Sequence, residues 1–321
     1  MAVAAELTYA GHSCRFECPK PNAQGLMLGT GDFLATHGPC TGAELLSMVD
    51  MDVLSLWKAC CTQPGIVMRH VCRRYLRLDE AVEGYARLSP SICREFLNYT
   101  VVGLTGQEDN IAARCLELRQ EFIRISQYKR ELVRDVVRRI VDSSPNPERL
   151  RTHVCYMVAG AVIYDMAHAS ERPELSTGRL VRGSDLDLVV VADQELTSVE
   201  REMLDGMIYR EKWNMLVLPQ FREEIDYVVK DMVKVVNQLQ FDNLRHMIAC
   251  KIMQESEFLY GSVDLFGQIK QLVSEFGIPD KLKRMEERAV RERQTAEVQL
   301  ISDSAIEQAQ AWRYLFYTNA T

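Results

Sequence analysis

The sequence has no run of about 18 apolar residues, the length that a membrane-crossing helix needs. It also lacks a basic segment ahead of its first apolar residues, and Met1 to Glu6 are too few for the hydrophobic part of a secretory signal. We therefore expect a cytoplasmic protein that has no membrane partner.

An excess of positive charge is missing as well. The chain carries 38 Lys and Arg against 45 Asp and Glu, for a net charge of -7. This charge balance disfavours a broad surface for long nucleic acids, and we do not expect long duplex nucleic acid as a partner. A local basic groove is nevertheless compatible with the net negative charge. Basic residues between Arg114 and Arg139 alternate with acidic ones, which is typical of a solvated helix face.

Ten cysteines are present but no clear disulfide framework accompanies them. They are scattered along a long chain, and the neighbouring Cys60 and Cys61 are a poor disulfide pair, so we expect reduced and mostly buried thiols. A tetrahedral zinc site could be built from thiols and imidazoles near the start of the chain, namely His12, Cys14, Cys18, His37 and Cys40. Their spacing does not match a zinc finger or ribbon, and free thiols in a small β element are the favoured interpretation.

Internal repeats and low-complexity segments are also absent, and a length of 321 residues suits more than one domain. Short apolar runs at residues 7–9 and 26–28 predict one or two strands near the start, and residues 41–144 then show mainly helical spacing. The Ser-Ser-Pro-Asn-Pro segment at residues 143–147 is the clearest break. We predict an N-terminal region at residues 1–144, a core domain at 148–265 and a helical C-terminal region at 266–321.

The core domain alternates strand and helix signals, which predicts an α+β fold. Residues 186–191 form an apolar, β-branched run that predicts a buried strand, and residues 224–229 predict a second strand. Thr197 and Glu200 have the spacing of a capping box, so a helix should begin there and continue to about Lys212. A helix through residues 244–252 and a short strand at 258–260 complete the pattern.

Paired carboxylates precede and enter the first of these strands. Asp185 and Asp187 are two residues apart, so in a strand they project from one face with Cα atoms roughly 6–7 Å apart. Carboxylates at this spacing can converge on divalent ions that clamp the oxygens of a phosphoryl transfer. A turn followed by a cap is the alternative interpretation of an isolated Asp-x-Asp pair.

A third carboxylate follows in the second predicted strand. Asp226 would complete the set if the two strands are neighbours, and Glu224 on the same face is its rival. We favour Asp226 because apolar Ile225 and Tyr227 flank it on both sides.

Together these segments resemble the DNA polymerase β-like nucleotidyltransferase superfamily over about residues 150–265. Residues 158–161 (Val-Ala-Gly-Ala) are similar to its small-residue loop that opens a helix, residues 183–187 (Gly-Ser-Asp-Leu-Asp) to its Gly/Ser-Asp-x-Asp strand, and residues 225–227 to its later carboxylate strand. The resemblance implies a nucleotidyltransferase-type mixed sheet flanked by helical N-terminal and C-terminal regions.

The resemblance also implies a function, namely Mg²⁺-dependent transfer of a nucleoside monophosphate from a nucleoside triphosphate to a hydroxyl. Asp185, Asp187 and Asp226 would be the metal ligands and catalytic residues, and Asp226 would help to activate the acceptor. The residues expected to bind the triphosphate are Gly160, Ala161, Gly183, Ser184, Arg182 and Lys251, with Arg179 as a further candidate cation. The acceptor stays open among a small molecule, an RNA end, a protein hydroxyl and a second nucleotide.

Two departures from the family pattern support a competing interpretation. The chain has Gly160-Ala161 where the family usually has Gly-Gly or Gly-Ser, so a hydroxyl is missing that Ser170 or Ser184 would have to supply. The spacing from Gly160 to Asp185 also indicates an insertion around residues 168–176. The alternative function is therefore a catalytically inactive nucleotidyltransferase fold that serves as a nucleotide sensor or interaction scaffold.

Overall fold

The computed structural model describes residues 6–9, 12–15, 29–302 and 315–317. The predicted strand at residues 26–28, Cys18 and the side chains of His12 and Cys14 lie outside the described residues. Of the other candidate zinc ligands, Cys40 is a buried free thiol, and His37 Nδ1 lies 3.2 Å from the carbonyl oxygen of Phe33.

The chain forms two compact units. The first comprises Met1–Gln120 and Met285–Thr321, and the second comprises Glu121–Arg284. The boundary predicted at residues 144–148 lies inside the second unit, in a short turn between two of its helices.

The first unit mixes short strands and helices, and its last helix continues into the second unit. In chain order its elements are β1 (Glu6–Tyr9), β2 (His12–Arg15), α1 (Thr30–His37), β3 (Cys40–Thr41), α2 (Gly42–Leu46), α3 (Val53–Thr62), β4 (Ile66–His70), β5 (Tyr75–Leu78), β6 (Ala86–Ser89), α4 (Ile92–Tyr99), β7 (Thr100–Leu104) and α5 (Glu108–Asp142).

Strands β4 to β7 interrupt the stretch that is predicted to be mainly helical. β7 lies between β3 and β4 in a three-stranded sheet, and β5 pairs with β6 in a separate hairpin. Each of these strands has at most five residues, too few for a two-residue period to be distinguished from helical spacing. Their pairing partners are up to about 60 residues away along the chain, beyond the reach of any local pattern.

The second unit contains the predicted core domain. In chain order its elements are α6 (Pro147–His153), β8 (Val154–Ala159), a 3₁₀ helix (Gly160–Tyr164), β9 (Glu171–Pro173), β10 (Leu180–Arg182), β11 (Leu186–Ala192), α7 (Ser198–Val217), β12 (Ile225–Asp231), α8 (Met232–Gln238), α9 (Leu244–Glu255), β13 (Glu257–Gly261), α10 (Val263–Glu275) and α11 (Ile278–Ser302). The last of these helices continues into the first unit.

Four strands of this unit form one mixed sheet in the order β12-β11-β8-β13. β11 is parallel to β12 and antiparallel to β8, and β13 is antiparallel to β8. The strands predicted at residues 186–191, 224–229 and 258–260 and the helix through 244–252 are thus confirmed. α7 begins at Ser198 because Thr197 and Glu200 form the predicted capping box. The α+β class is confirmed by this mixed architecture.

One face of the sheet forms the hydrophobic core of the second unit. Alternate residues of β8 and β11, such as Tyr156, Val158, Leu186 and Leu188, are buried in one cluster with side chains of α5 and α7. The intervening residues of β11 project from the opposite face, beginning with Asp187. Strand alternation therefore separates the candidate carboxylates from this core. Among the described helices, none is long and apolar enough to cross a membrane.

Candidate active site

The carboxylates lie where β11 and β12 begin. Asp187 and Asp226 are registered partners on these parallel strands, and Leu186 and Ile225 beside them are buried on the other face. The backbone N–H of Leu186 donates to the carbonyl oxygen of Glu224 at 2.9 Å, so the pairing continues one residue ahead of the strands. By strand alternation Asp185 and Glu224 form a second pair on the same face. The structure thus gathers four carboxylates at the starts of neighbouring strands.

Asp187 packs against Gly160. Ala159, the last residue of β8, is the registered partner of Asp187, and Gly160 follows with φ = 75°. A Cβ atom at Gly160 would lie 1.9 Å from Asp187 Oδ2, so this position has no room for a side chain. Gly160 and Ala161 open a 3₁₀ helix of five residues, at the place where the resemblance predicts a small-residue loop that opens a helix. The glycine is therefore explained by its approach to a candidate metal ligand.

Gly183 and Ser184 fix the segment ahead of β11 to the chain at His168. A Cβ atom at Gly183 would lie 1.6 Å from the His168 carbonyl oxygen. Ser184 N–H donates to that same oxygen, and His168 N–H donates to Ser184 Oγ, each at 3.2 Å. Packing against His168 accounts for a glycine and a serine at these positions.

A buried ion pair lies beneath this segment. Lys129 Nζ on α5 donates to the carbonyl oxygens of Arg182 and Ser184, each at 2.8 Å, and also to the Glu223 carboxylate. Both side chains of the pair are 2% exposed. Burial lowers the pKa of Lys129 and raises the pKa of Glu223, each opposed by the charge of the partner. Lys129 therefore holds the backbone that leads into Asp185.

The expectation that residues 114–139 form a solvated helix face is wrong at Lys129. The charges in this stretch alternate in sign, and that alternation is the same whether a given residue faces water or the sheet. Lys129 is recognised as a buried residue by its oxygen partners, which belong to residues more than 50 positions away along the chain.

Arg172 lies among the carboxylates and was not predicted to do so. It belongs to β9, which pairs antiparallel with β10 to form a hairpin between the 3₁₀ helix and β11. Arg172 Nε donates to the Gly183 carbonyl oxygen at 2.9 Å. Its Nη2 contacts Glu224 Oε2 at 2.8 Å and also contacts Asp185. The insertion predicted around residues 168–176 thus places the guanidinium of Arg172 beside the candidate carboxylates.

The turn of this hairpin is fixed by Glu174. Its carboxylate accepts hydrogen bonds from the backbone N–H and the hydroxyl of both Ser176 and Thr177. Burial raises the pKa of Glu174, but these hydrogen bonds outweigh that effect and bring it to about 2. A charged Glu174 therefore stabilises the turn that carries Arg172.

The two candidates for the third carboxylate have different surroundings. The Asp226 side chain is 49% exposed and lies 3.1 Å from Lys212 Nζ, whereas the Glu224 side chain is 10% exposed. Burial raises the pKa of Glu224, and the neighbouring Arg172 opposes that shift. The apolar neighbours of Asp226 in sequence thus do not bury it, because their side chains project from the opposite face of β12.

The predicted triphosphate cations are divided between two places. Arg182 lies directly ahead of the carboxylates, and its backbone N–H donates to the Arg222 carbonyl oxygen at 2.8 Å. Arg179 is exposed at the hairpin turn. Lys251 on α9 contacts Glu255 and lies 5.9 Å from the ring centroid of Tyr164, the last residue of the 3₁₀ helix that Gly160 begins.

The carboxylates at the starts of β11 and β12 are of the ligand type that a magnesium ion prefers. Carboxylate oxygens are ligands that Mg²⁺ takes, and the site offers four carboxylates, one of which packs against the backbone of Gly160. In the part of the chain that the structure describes, no three His, Cys, Asp or Glu side chains are already grouped as a metal site. Arg172 and Lys212 instead supply the positive charge beside Asp185, Glu224 and Asp226.

Comparisons with known proteins add no relative. No protein-family model matches this chain, and neither the curated proteins nor the solved structures contain a significant match.

Proposed function

We propose that the protein is a Mg²⁺-dependent nucleotidyltransferase that moves a nucleoside monophosphate from a triphosphate to an acceptor hydroxyl, on a core of the polymerase β-like kind. The observation that carries the proposal is the registered pair Asp187 and Asp226 at the starts of two parallel strands, with Asp185 two residues ahead of Asp187. Two neighbouring strand starts are rigid supports, and a misplacement of about 1 Å at a reacting group can cost on the order of a hundredfold in rate.

In this proposal each residue has a distinct task. Asp185 and Asp187 would hold Mg²⁺, which supplies charge neutralisation for the triphosphate and for the leaving pyrophosphate. Asp226 would be the third metal ligand, and it would also orient the acceptor and accept the proton of the attacking hydroxyl. Its exposure supports this role, because an acceptor must reach it from solvent.

Other residues act by fixing these groups. Gly160 lets the Asp187 carboxylate lie against the backbone that ends β8. Lys129 and the contacts at His168 restrain the residues ahead of Asp185. Rigid support of this kind is what a catalytic constellation needs.

The direct test is transfer of a labelled nucleotide. The purified full chain is incubated with Mg²⁺ and each α-labelled triphosphate, with cell extract as the source of acceptors. We expect label in RNA, in protein or in a small product, and this result would also name the acceptor class.

Variants at the carboxylates identify the site responsible. Asp185→Ala and Asp187→Ala should each reduce transfer by at least about a hundredfold, because each removes a charged ligand. Glu202→Ala, at an exposed carboxylate on α7, is the matched control and should keep wild-type transfer. Near-normal turnover in either aspartate variant would contradict the site.

A nucleotide sensor or interaction scaffold is the second candidate. Arg172 neutralises Asp185 and Glu224, and a side chain that occupies catalytic carboxylates is expected in an inactive fold. The missing hydroxyl at Ala161 points in the same direction. Nucleotide binding measured by calorimetry, together with the absence of transfer to any acceptor, would support this candidate over the enzyme.

A further inference from the structure

Arg172 is positioned as a bridge rather than as a surface charge. Its guanidinium contacts Asp185 and Glu224 together, and its Nε is held by the Gly183 carbonyl oxygen. The three side chains are between 10% and 16% exposed, so water screens the contacts only partly. The hairpin that carries Arg172 is fixed at its turn by Glu174.

A guanidinium and a divalent ion both bind the carboxylate oxygens of Asp185. Arginine stays charged at any physiological pH and presents a planar fork of donors that matches carboxylate oxygens. The Asp185 oxygen in contact with Arg172 Nη2 is one of the two that Asp185 can offer to a metal ion. Two cations beside one carboxylate repel each other, and the repulsion grows as the distance between them falls, so each weakens the binding of the other.

We propose that Arg172 is a tethered competitor of the metal: it occupies Asp185 and Glu224 until a divalent ion displaces it from Asp185. This inference rests on the proposed function, since it assigns Asp185 to the metal. It also gives Glu224 a task that differs from that of Asp226. Glu224 keeps the displaced guanidinium beside the site, where the hairpin still holds it.

The consequence is a metal affinity that the chain itself limits. Without nucleotide, a metal ion must break the Arg172 contact with Asp185 before it can bind there. Loss of an ion pair at such a partly buried site is expected to change an equilibrium by roughly tenfold. The full chain should therefore bind metal weakly alone and more tightly when nucleotide supplies further ligands.

The experiment measures Mn²⁺ binding to the full chain by electron paramagnetic resonance and calorimetry, without and with a non-hydrolysable triphosphate. Arg172→Gln should bind Mn²⁺ roughly tenfold more tightly than wild type in the absence of nucleotide. Arg222→Gln is the matched control, because Arg222 is a cation paired with Glu171 of the same hairpin but outside the carboxylate face, and it should keep wild-type affinity. Adding Asp187→Ala to Arg172→Gln should remove the gain.

The outcomes separate this inference from the proposed function. If Arg172→Gln binds Mn²⁺ no more tightly than wild type, Arg172 is not a competitor, while metal binding by the wild type leaves the proposed function intact. If neither the wild type nor Arg172→Gln binds Mn²⁺ even with the triphosphate analogue present, the proposed function fails. Should Arg172→Gln not fold, Arg172→Met decides: it removes the charge and keeps a long side chain to fill the space, so a wild-type affinity in that variant overturns the proposal.

Discussion

Glu224, directly ahead of β12, and Asp226 within it project to the same side, yet Asp226 alone of the two is well exposed to solvent. Glu224 is largely buried against Arg172, and Asp226 is half exposed beside Lys212. A residue that receives a substrate hydroxyl needs access, and a residue that holds an arginine does not. This difference in exposure supports Asp226 as the proposed third metal ligand. Exposure could not be inferred from the sequence pattern.

The two carboxylates are therefore expected to respond differently to loss of charge. Asp226→Asn should reduce transfer by about a hundredfold or more, because under the proposed function it removes the group that orients and deprotonates the acceptor. Glu224→Gln should change transfer little at saturating Mg²⁺. Steady-state rates and Mn²⁺ titrations of both variants check this, and a Glu224→Gln protein that loses metal while Asp226→Asn keeps it would reverse the assignment.

Gly160 offers a test of how closely Asp187 is positioned. Gly160→Ala places a methyl group where Asp187 Oδ2 lies, so the carboxylate must move and transfer should fall by on the order of a hundredfold. Gly178→Ala is the matched control, because Gly178 has a similar φ of 67° and no atom within 4 Å of its added Cβ. Both variants should lose stability from the positive φ, but only Gly160→Ala should lose activity in a transfer assay.

At the scale of elements, α5 contributes more than a covering surface. Its buried Lys129 joins three chain segments by donating to Arg182, Ser184 and Glu223. A buried ion pair adds little net stability compared with an apolar pair, but the loss of one partner leaves an uncompensated charge. The pair therefore fixes the position of the loop ahead of β11 more than it stabilises the fold.

Lys129→Met should destabilise the protein by about 3–5 kcal/mol, since Glu223 would keep a buried charge without its cation. Adding Glu223→Gln should restore part of that loss because it removes the stranded charge. Arg138→Met, at an exposed position of the same helix, should cost at most about 1 kcal/mol. Urea unfolding of the variants measures these differences, and equal destabilisation by Lys129→Met and Arg138→Met would contradict the burial argument.

At the scale of the whole molecule, the second unit begins within α5. Six apolar side chains of this helix are buried in the core of the unit, namely Ile125, Val133, Val136, Val137, Ile140 and Val141. A domain that began at residue 148 would lack all six. Each buried side chain of this size contributes about 1.5–3 kcal/mol, so the loss of all six is comparable to the whole stability of a typical domain.

Two fragments test where the core domain begins. The fragment Glu121–Arg284 should fold with a cooperative thermal transition, because it retains the core of the unit. The fragment of residues 148–265 should lack such a transition and aggregate, since the sheet face that α5 covers would be exposed. Circular dichroism melting curves measure both, and a cooperative transition in the shorter fragment would restore the boundary predicted from the Ser-Pro segment.

Features that depend on near neighbours along the chain could be predicted from the sequence alone. The capping box at Thr197 and Glu200 began α7 where it was predicted, because the residues that satisfy the helix end are three positions apart. The apolar runs gave the main strands, and a two-residue period placed Asp185 and Asp187 on one face. These are short-range properties, and a local pattern contains them completely.

The groups that come together at the candidate site from distant parts of the chain are visible only in the folded protein. The register of Asp187 with Asp226, the bridge from Arg172 and the burial of Lys129 depend on how strands pair and which side of a helix meets the sheet. Charged residues have similar patterns in sequence whether they face water or each other, since the difference lies in packing between segments far apart along the chain. For that reason spacing along the sequence predicted the carboxylates of the candidate site, and it did not predict the cations that contact them.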